Sequence, residues 1–168
     1  MRHFARRRIL AASVALAFSA MAAPVFAQKA IVVVRHAEKA DQSTDPVLSA
    51  QGTARAEALA KALAALDVKA VYVTQYQRTT LTAAPLMKVA GLKAIQVHSD
   101  ASAELVERMK KEHPADVVLT VGHSNSVPRI LKLLGAAETI ELGDNDYDNL
   151  FILVPAASGP PTLLRLKY

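Results

Sequence analysis

The segment Ala30-Ile31-Val32-Val33-Val34 places four β-branched residues in succession. A strand with one wet face alternates apolar and polar residues. An unbroken run has to be covered on both faces, as happens inside a largely parallel sheet. The same demand recurs along the chain. Ala70 to Thr74, Ala94 to Val97 and Val117 to Val121 read as further strands, and Leu150 to Val154 and Thr162 to Lys167 as two closing ones, linked by the Pro/Gly segment Pro155 to Pro161. Between them lie helical stretches. Gln51 to Leu66 is alanine-rich, with Leu59, Leu63 and Leu66 on one stripe. Thr79 to Ala90 is helical, with Pro85 forcing a kink or restart and Gly91 as its stop. Ser102 to His113 turns Leu105, Val106 and Met109 inward, and Ser126 to Leu134 carries Pro128 in its first turn. This alternation predicts one α/β domain, a sheet of about six mostly parallel strands between two helical layers. The closing pair is free to run antiparallel at a sheet edge.

The N-terminus has a different grammar. Arg2, Arg6, Arg7 and Arg8 stand without an acid, Ile9 to Ala23 is apolar, and Pro24-Val25-Phe26-Ala27 ends in small residues at the two cleavage-defining positions. That is the pattern of a secretory signal cleaved after Ala27. The apolar run falls short of the roughly 20 residues of a spanning helix, though an uncleaved anchor is the alternative reading. The adjacent arginines also suit a twin-arginine signal. The expected mature domain is residues 28–168, located in the periplasm or secreted, with no membrane association once the signal is gone. Removing four arginines and no acid from 20 basic and 15 acidic residues leaves a net charge of +1. The apparent basicity belongs to the signal, and the electrostatic case for a nucleic-acid partner goes with it. The chain has no cysteine, so disulfide frameworks, thiolate metal sites and cysteine nucleophiles are excluded.

In open α/β sheets ligands bind beyond the carboxyl ends of the strands. Arg35-His36-Ala37-Glu38-Lys39 follows the first strand, Gln75-Tyr76-Gln77-Arg78-Thr79 the second and Gly122-His123-Ser124-Asn125 the fourth. Two arginines and two histidines therefore converge on one end of one sheet. Taken singly, each is more often a solvated or structural residue. Together they repel one another unless an anion sits between them, and guanidinium forks suit phosphate oxygens. A neutral imidazole beside a bound phosphoryl group is a competent nucleophile. The arginines would steady the charge on the equatorial oxygens during transfer. A metal site built from His36, Glu38 and His123 is opposed by the two arginines, so neither metal nor cofactor is expected.

These segments resemble the motifs of the histidine phosphatase superfamily, whose fold is called phosphoglycerate-mutase-like. Arg35-His36-Ala37-Glu38 is similar to its Arg-His-Gly signature, with alanine in the glycine position. Leu48-Ser49-Ala50-Gln51-Gly52 resembles its Leu-Thr-x-x-Gly element, Arg78-Thr79-Thr80-Leu81-Thr82-Ala83 its Arg-Thr-x-x-Thr-Ala motif, and Gly122-His123-Ser124 its second-histidine motif. Thr74 stands where the family often has serine. The resemblance implies a three-layer α/β/α sandwich. It implies that His36 is the phosphorylated nucleophile, that Arg35 and Arg78 bind the phosphoryl oxygens, and that His123 completes the pocket.

The proton donor is not fixed by these matches. Many members place a glutamate after the second arginine; others carry an aspartate after the second histidine, where this chain has Ser124. Glu104 is the first candidate, although an acid there also favours a helix N-terminus and can pair with Arg108. Glu38 is the second. The run Asp144 to Asp148 reads as an acidic turn. The implied activity is hydrolysis of phosphomonoesters, on a phosphorylated small molecule or a phosphoprotein. A mutase needs enclosing segments that 141 residues hardly supply. The alternative is a non-catalytic phosphate- or phosphosugar-binding module of the same fold.

Overall fold

The computed structural model describes residues 29–168, so the expected signal at 1–27 and its cleavage point lie outside the described residues. The chain runs β1 (Ala30–Arg35), α1 (Ala50–Leu63), β2 (Val68–Val73), α2 (Gln77–Ala90), β3 (Ala94–Gln96), α3 (Ser102–Glu112), β4 (Val117–Gly122), α4 (Ser126–Leu133), β5 (Asn149–Val154) and β6 (Thr162–Lys167). One six-stranded sheet has the order β3-β2-β4-β1-β5-β6. The strands β1 to β4 pair in parallel, while β5 is antiparallel to both β1 and β6. The expected three-layer, mostly parallel sandwich is the fold observed.

The unbroken run in β1 is covered on both faces. Ile31 and Val33 pack with Leu105, Val106 and Met109 of α3 and with Val127, Ile130 and Leu131 of α4. Val32 and Val34 point the other way, onto Leu59 and Leu63 of α1 and Ala83 and Leu86 of α2. The period of two along the strand thus assigns each side chain to one of two cores. Burying a side chain of this size contributes about 1.5–3 kcal/mol.

Several elements differ in extent or continuity from those expected. α1 stops at Leu63 rather than Leu66, because the chain must turn through Asp67, whose φ is 49°, to enter β2. Aspartate tolerates that left-handed conformation better than most residues. β2 accordingly begins at Val68. α2 runs on through Pro85 without a restart. Proline removes one helical hydrogen bond there, and burial of Ala83 and Leu86 beside it helps hold the helix together.

Candidate active site

Parallel register builds the site. Arg35 pairs with Gly122 at the carboxyl ends of β1 and β4, and the His36 amide donates to the Gly122 carbonyl at 2.9 Å. The residues that follow, His36 and His123, therefore emerge side by side, with ring centroids 5.2 Å apart. Arg78 arrives from the first turn of α2. That turn is fixed to the loop after β1 by Gln77, whose amide donates to Asp45 Oδ1 at 2.9 Å. All four residues line one pocket of about 370 Å³, together with Lys39, Tyr76, Ser99, Ser124, Asn125 and Asp144. A larger groove of about 720 Å³ opens at the opposite end of the sheet, beside Ile31, Leu153 and Pro161, and holds none of these groups.

The His36 ring is held in one orientation. Its Nδ1 lies 2.8 Å from the Ala37 carbonyl. A carbonyl only accepts, so Nδ1 carries the proton and Nε2 keeps its lone pair. The Ala37 amide donates to Thr82 Oγ1 at 2.9 Å. Ala37 itself is fully buried, so the methyl group that replaces the family's glycine points into the interior and not into the pocket. His123 is held from two sides: its amide donates to Ser126 Oγ at 2.9 Å, and its Nε2 lies 3.1 Å from Thr74 Oγ1. Thr74 is in turn tied to Thr79, whose hydroxyl accepts from the Thr74 amide at 3.0 Å. The hydroxyl at position 74 thus serves the second histidine.

Burial governs the charge state of both rings. His36 is only 4% exposed and His123 8%. Desolvation pushes the His36 pKa down to about 4; the Ala37 carbonyl opposes this, and Arg78, Arg35 and Lys39 add to it. Desolvation likewise lowers His123 to about 3, reinforced by His36, Arg78 and Arg35. Both imidazoles are neutral at neutral pH, so the positive charge at the pocket resides on the arginines and Lys39.

Each arginine stacks on a tyrosine. Arg35 lies 4.1 Å over the Tyr147 ring, and its Nη1 donates to the carbonyls of Gly143 and Asp144 at 2.7 and 3.0 Å. Arg78 lies 4.1 Å over Tyr76, donates to the Thr44 carbonyl at 3.3 Å and stands 3.7 Å from Asp45. Among the described residues, both keep a buried Nε–H without a partner. Among the described residues, neither guanidinium is neutralised by a close bidentate carboxylate, and the two are left with donor capacity for an anion.

The proton-donor candidates are placed elsewhere. Glu38 turns away and makes a bidentate ion pair with Arg55, at 2.6 Å for its shortest contact. Glu104 is exposed on the first turn of α3 and does not line the pocket. Arg108 pairs with Glu112 at 3.0 Å rather than with Glu104. With Glu38 taken by Arg55, the three-residue ligand set of the metal reading is not assembled.

Sequence reasoning read Asp144 to Asp148 as an acidic turn that could bear on specificity, and gave neither Asp144 nor Tyr147 a place beside Arg35. The signal that could have found them is topological. β5 is antiparallel to β1, with Val34 opposite Leu150, so the segment entering β5 has to cross the carboxyl ends of the parallel strands. His98 is exposed beside Asp100 and does not line the pocket, whereas its neighbour Ser99 does.

The fold and this pocket define an α/β protein of the phosphoglycerate-mutase-like class. A family model described as the histidine phosphatase superfamily (branch 1) matches residues 31–103, which hold both arginines and His36. Over that segment the chain is similar to the histidine phosphatase superfamily. No curated protein sequence matches it. Among solved structures, the protein histidine phosphatase SixA complexed with tungstate aligns with a TM-score of 0.64 at 16% identity, over 82% of this chain and 96% of that one. Mycobacterial glucosyl-3-phosphoglycerate phosphatase Rv2419c gives 0.63 at 14% identity, over 83% of this chain and 98% of that one. An Escherichia coli K-12 protein assigned as an alpha-ribazole-5'-P phosphatase gives 0.67 at 12% identity, over 84% and 97%. At these identities the likeness is one of fold.

Proposed function

We propose that the chain is an exported phosphatase that hydrolyses phosphomonoesters through a phosphohistidine on His36. The observation that carries this reading is the convergence of two guanidinium groups and two neutral imidazoles on one pocket, with the His36 Nδ1 tied to a carbonyl and its Nε2 free. The family-model match over residues 31–103 and the phosphatases among the structurally similar proteins support phosphatase chemistry in general. In the proposed reaction Arg35 and Arg78 hold the phosphoryl oxygens. The His36 Nε2 attacks phosphorus in line with the leaving oxygen, and water releases phosphate in a second step. His123 donates to the transferring group. Export rests on the basic, apolar and small-residue order of the first 27 residues.

One observation favours the non-catalytic binding module: neither Glu104 nor Glu38 reaches the pocket. An aryl phosphate separates the two readings, because its leaving group needs little protonation. The phosphatase reading expects turnover that survives a chelator and falls to background in His36→Ala. Binding of phosphate without turnover between pH 4 and 8 would establish the module instead.

A further inference from the structure

The proposed reaction needs a group that protonates the leaving oxygen, and among the described residues that line the pocket one is acidic, Asp144. Its neighbours in the acidic turn are committed elsewhere. Asp146 Oδ2 accepts from the Gly143 amide at 2.8 Å, and Asp148 pairs with Lys167. Among the described residues the Asp144 side chain takes part in no hydrogen bond or ion pair. Its backbone, by contrast, is fixed. The Asp144 carbonyl accepts from Arg35 Nη1 at 3.0 Å, the Gly143 carbonyl accepts from the same atom at 2.7 Å, and Tyr147 stacks on that guanidinium. The group expected to bind the phosphoryl oxygens thus also positions the main chain of an unengaged carboxyl. We propose that Asp144 is the general acid of the first step and the general base of the second. The inference rests on the phosphohistidine reading above.

The step balances. The His36 Nε2 lone pair forms the N–P bond as the bond from phosphorus to the ester oxygen breaks, and that oxygen takes the Asp144 proton with the departing electron pair. The products are an alcohol, phosphohistidine and the Asp144 carboxylate. The carboxylate then removes a proton from water as its oxygen attacks phosphorus. The N–P electrons return to Nε2, releasing inorganic phosphate and restoring the protonated carboxyl.

The test is a leaving-group series, from nitrophenyl phosphate through phenyl phosphate to an alkyl phosphate, with the wild type and Asp144→Asn. Asparagine keeps the shape and the backbone contacts but cannot give up a proton. General acid catalysis is worth about 10²–10⁴-fold, so the alkyl ester should lose about that much. The loss should shrink steadily towards the nitrophenyl ester, which steepens the dependence of rate on leaving-group basicity. An equal loss across the series, or none, with the wild type active throughout, overturns the assignment of Asp144 and leaves the phosphatase reading standing. A wild type inactive on every ester overturns both.

Discussion

Each functional side chain at this site is set by a neighbour that fixes one of its atoms. The Ala37 carbonyl holds Nδ1 of His36, Thr74 holds Nε2 of His123, and tyrosine rings lie under both arginines. The consequence for pH follows from the lowered histidine pKa values. With His36 near 4 in the free protein, the acidic limb of kcat/KM should fall close to pH 4, once the second ionisation of the substrate near about 6 is divided out. A limb at pH 6.5 would show an ordinary histidine and contradict the burial argument. The same shifts fix the sign of the stability effect. Between pH 6.5 and 4 the unfolded chain takes up protons that folded His36 and His123 refuse, so the folded state loses stability as the pH drops through that window. Arg35, His36, Arg78 and His123 were legible in the sequence because each closes, directly follows or lies at the start of an element whose pattern is clear. Asp144 and Tyr147 were not, because a turn of mixed polar residues carries no periodicity that says which end of the sheet it crosses.

The element most exposed to a single change is the first turn of α1. Ser49 accepts from the Gly52 amide at 3.0 Å as its N-cap, and Gly52 lies against the backbone of Glu38, where an added Cβ would sit 2.3 Å from the Glu38 carbonyl oxygen. Backbone cannot swing aside as a side chain does. Gly52→Ala should therefore destabilise the fold by about 1–3 kcal/mol, the usual range for overpacking, and shift the loop that carries Glu38 two residues from His36. A lower denaturant midpoint at unchanged slope would register this, together with reduced aryl phosphatase activity. An unchanged midpoint would mean that the α1 contact is looser than described. At this scale the strands and helices were readable because uninterrupted β-branched runs and leucine stripes have different periods. Helix ends were less readable. The stop of α1 at Leu63 depends on the backbone at Asp67, and the persistence of α2 through Pro85 on burial that only the packed state supplies.

Over the described residues, the sheet order explains how the pocket is assembled. β1 and β4 lie side by side near its centre, β2 flanks β4, and antiparallel β5 brings its entering loop back over the same edge. Segments distant in sequence thus surround one pocket. No helix among the described residues is long and apolar enough to cross a membrane. The α/β/α class was legible from alternation alone, whereas the role of the β5 approach required the pairing itself. The most direct test of the central claim is to quench the protein during turnover of a radiolabelled phosphomonoester and follow the label in the chain. A phosphohistidine intermediate gives covalent label that is lost in acid, survives alkali, maps to the peptide containing His36 and is absent from His36→Ala. Turnover with no such label, or label retained in His36→Ala, would contradict it.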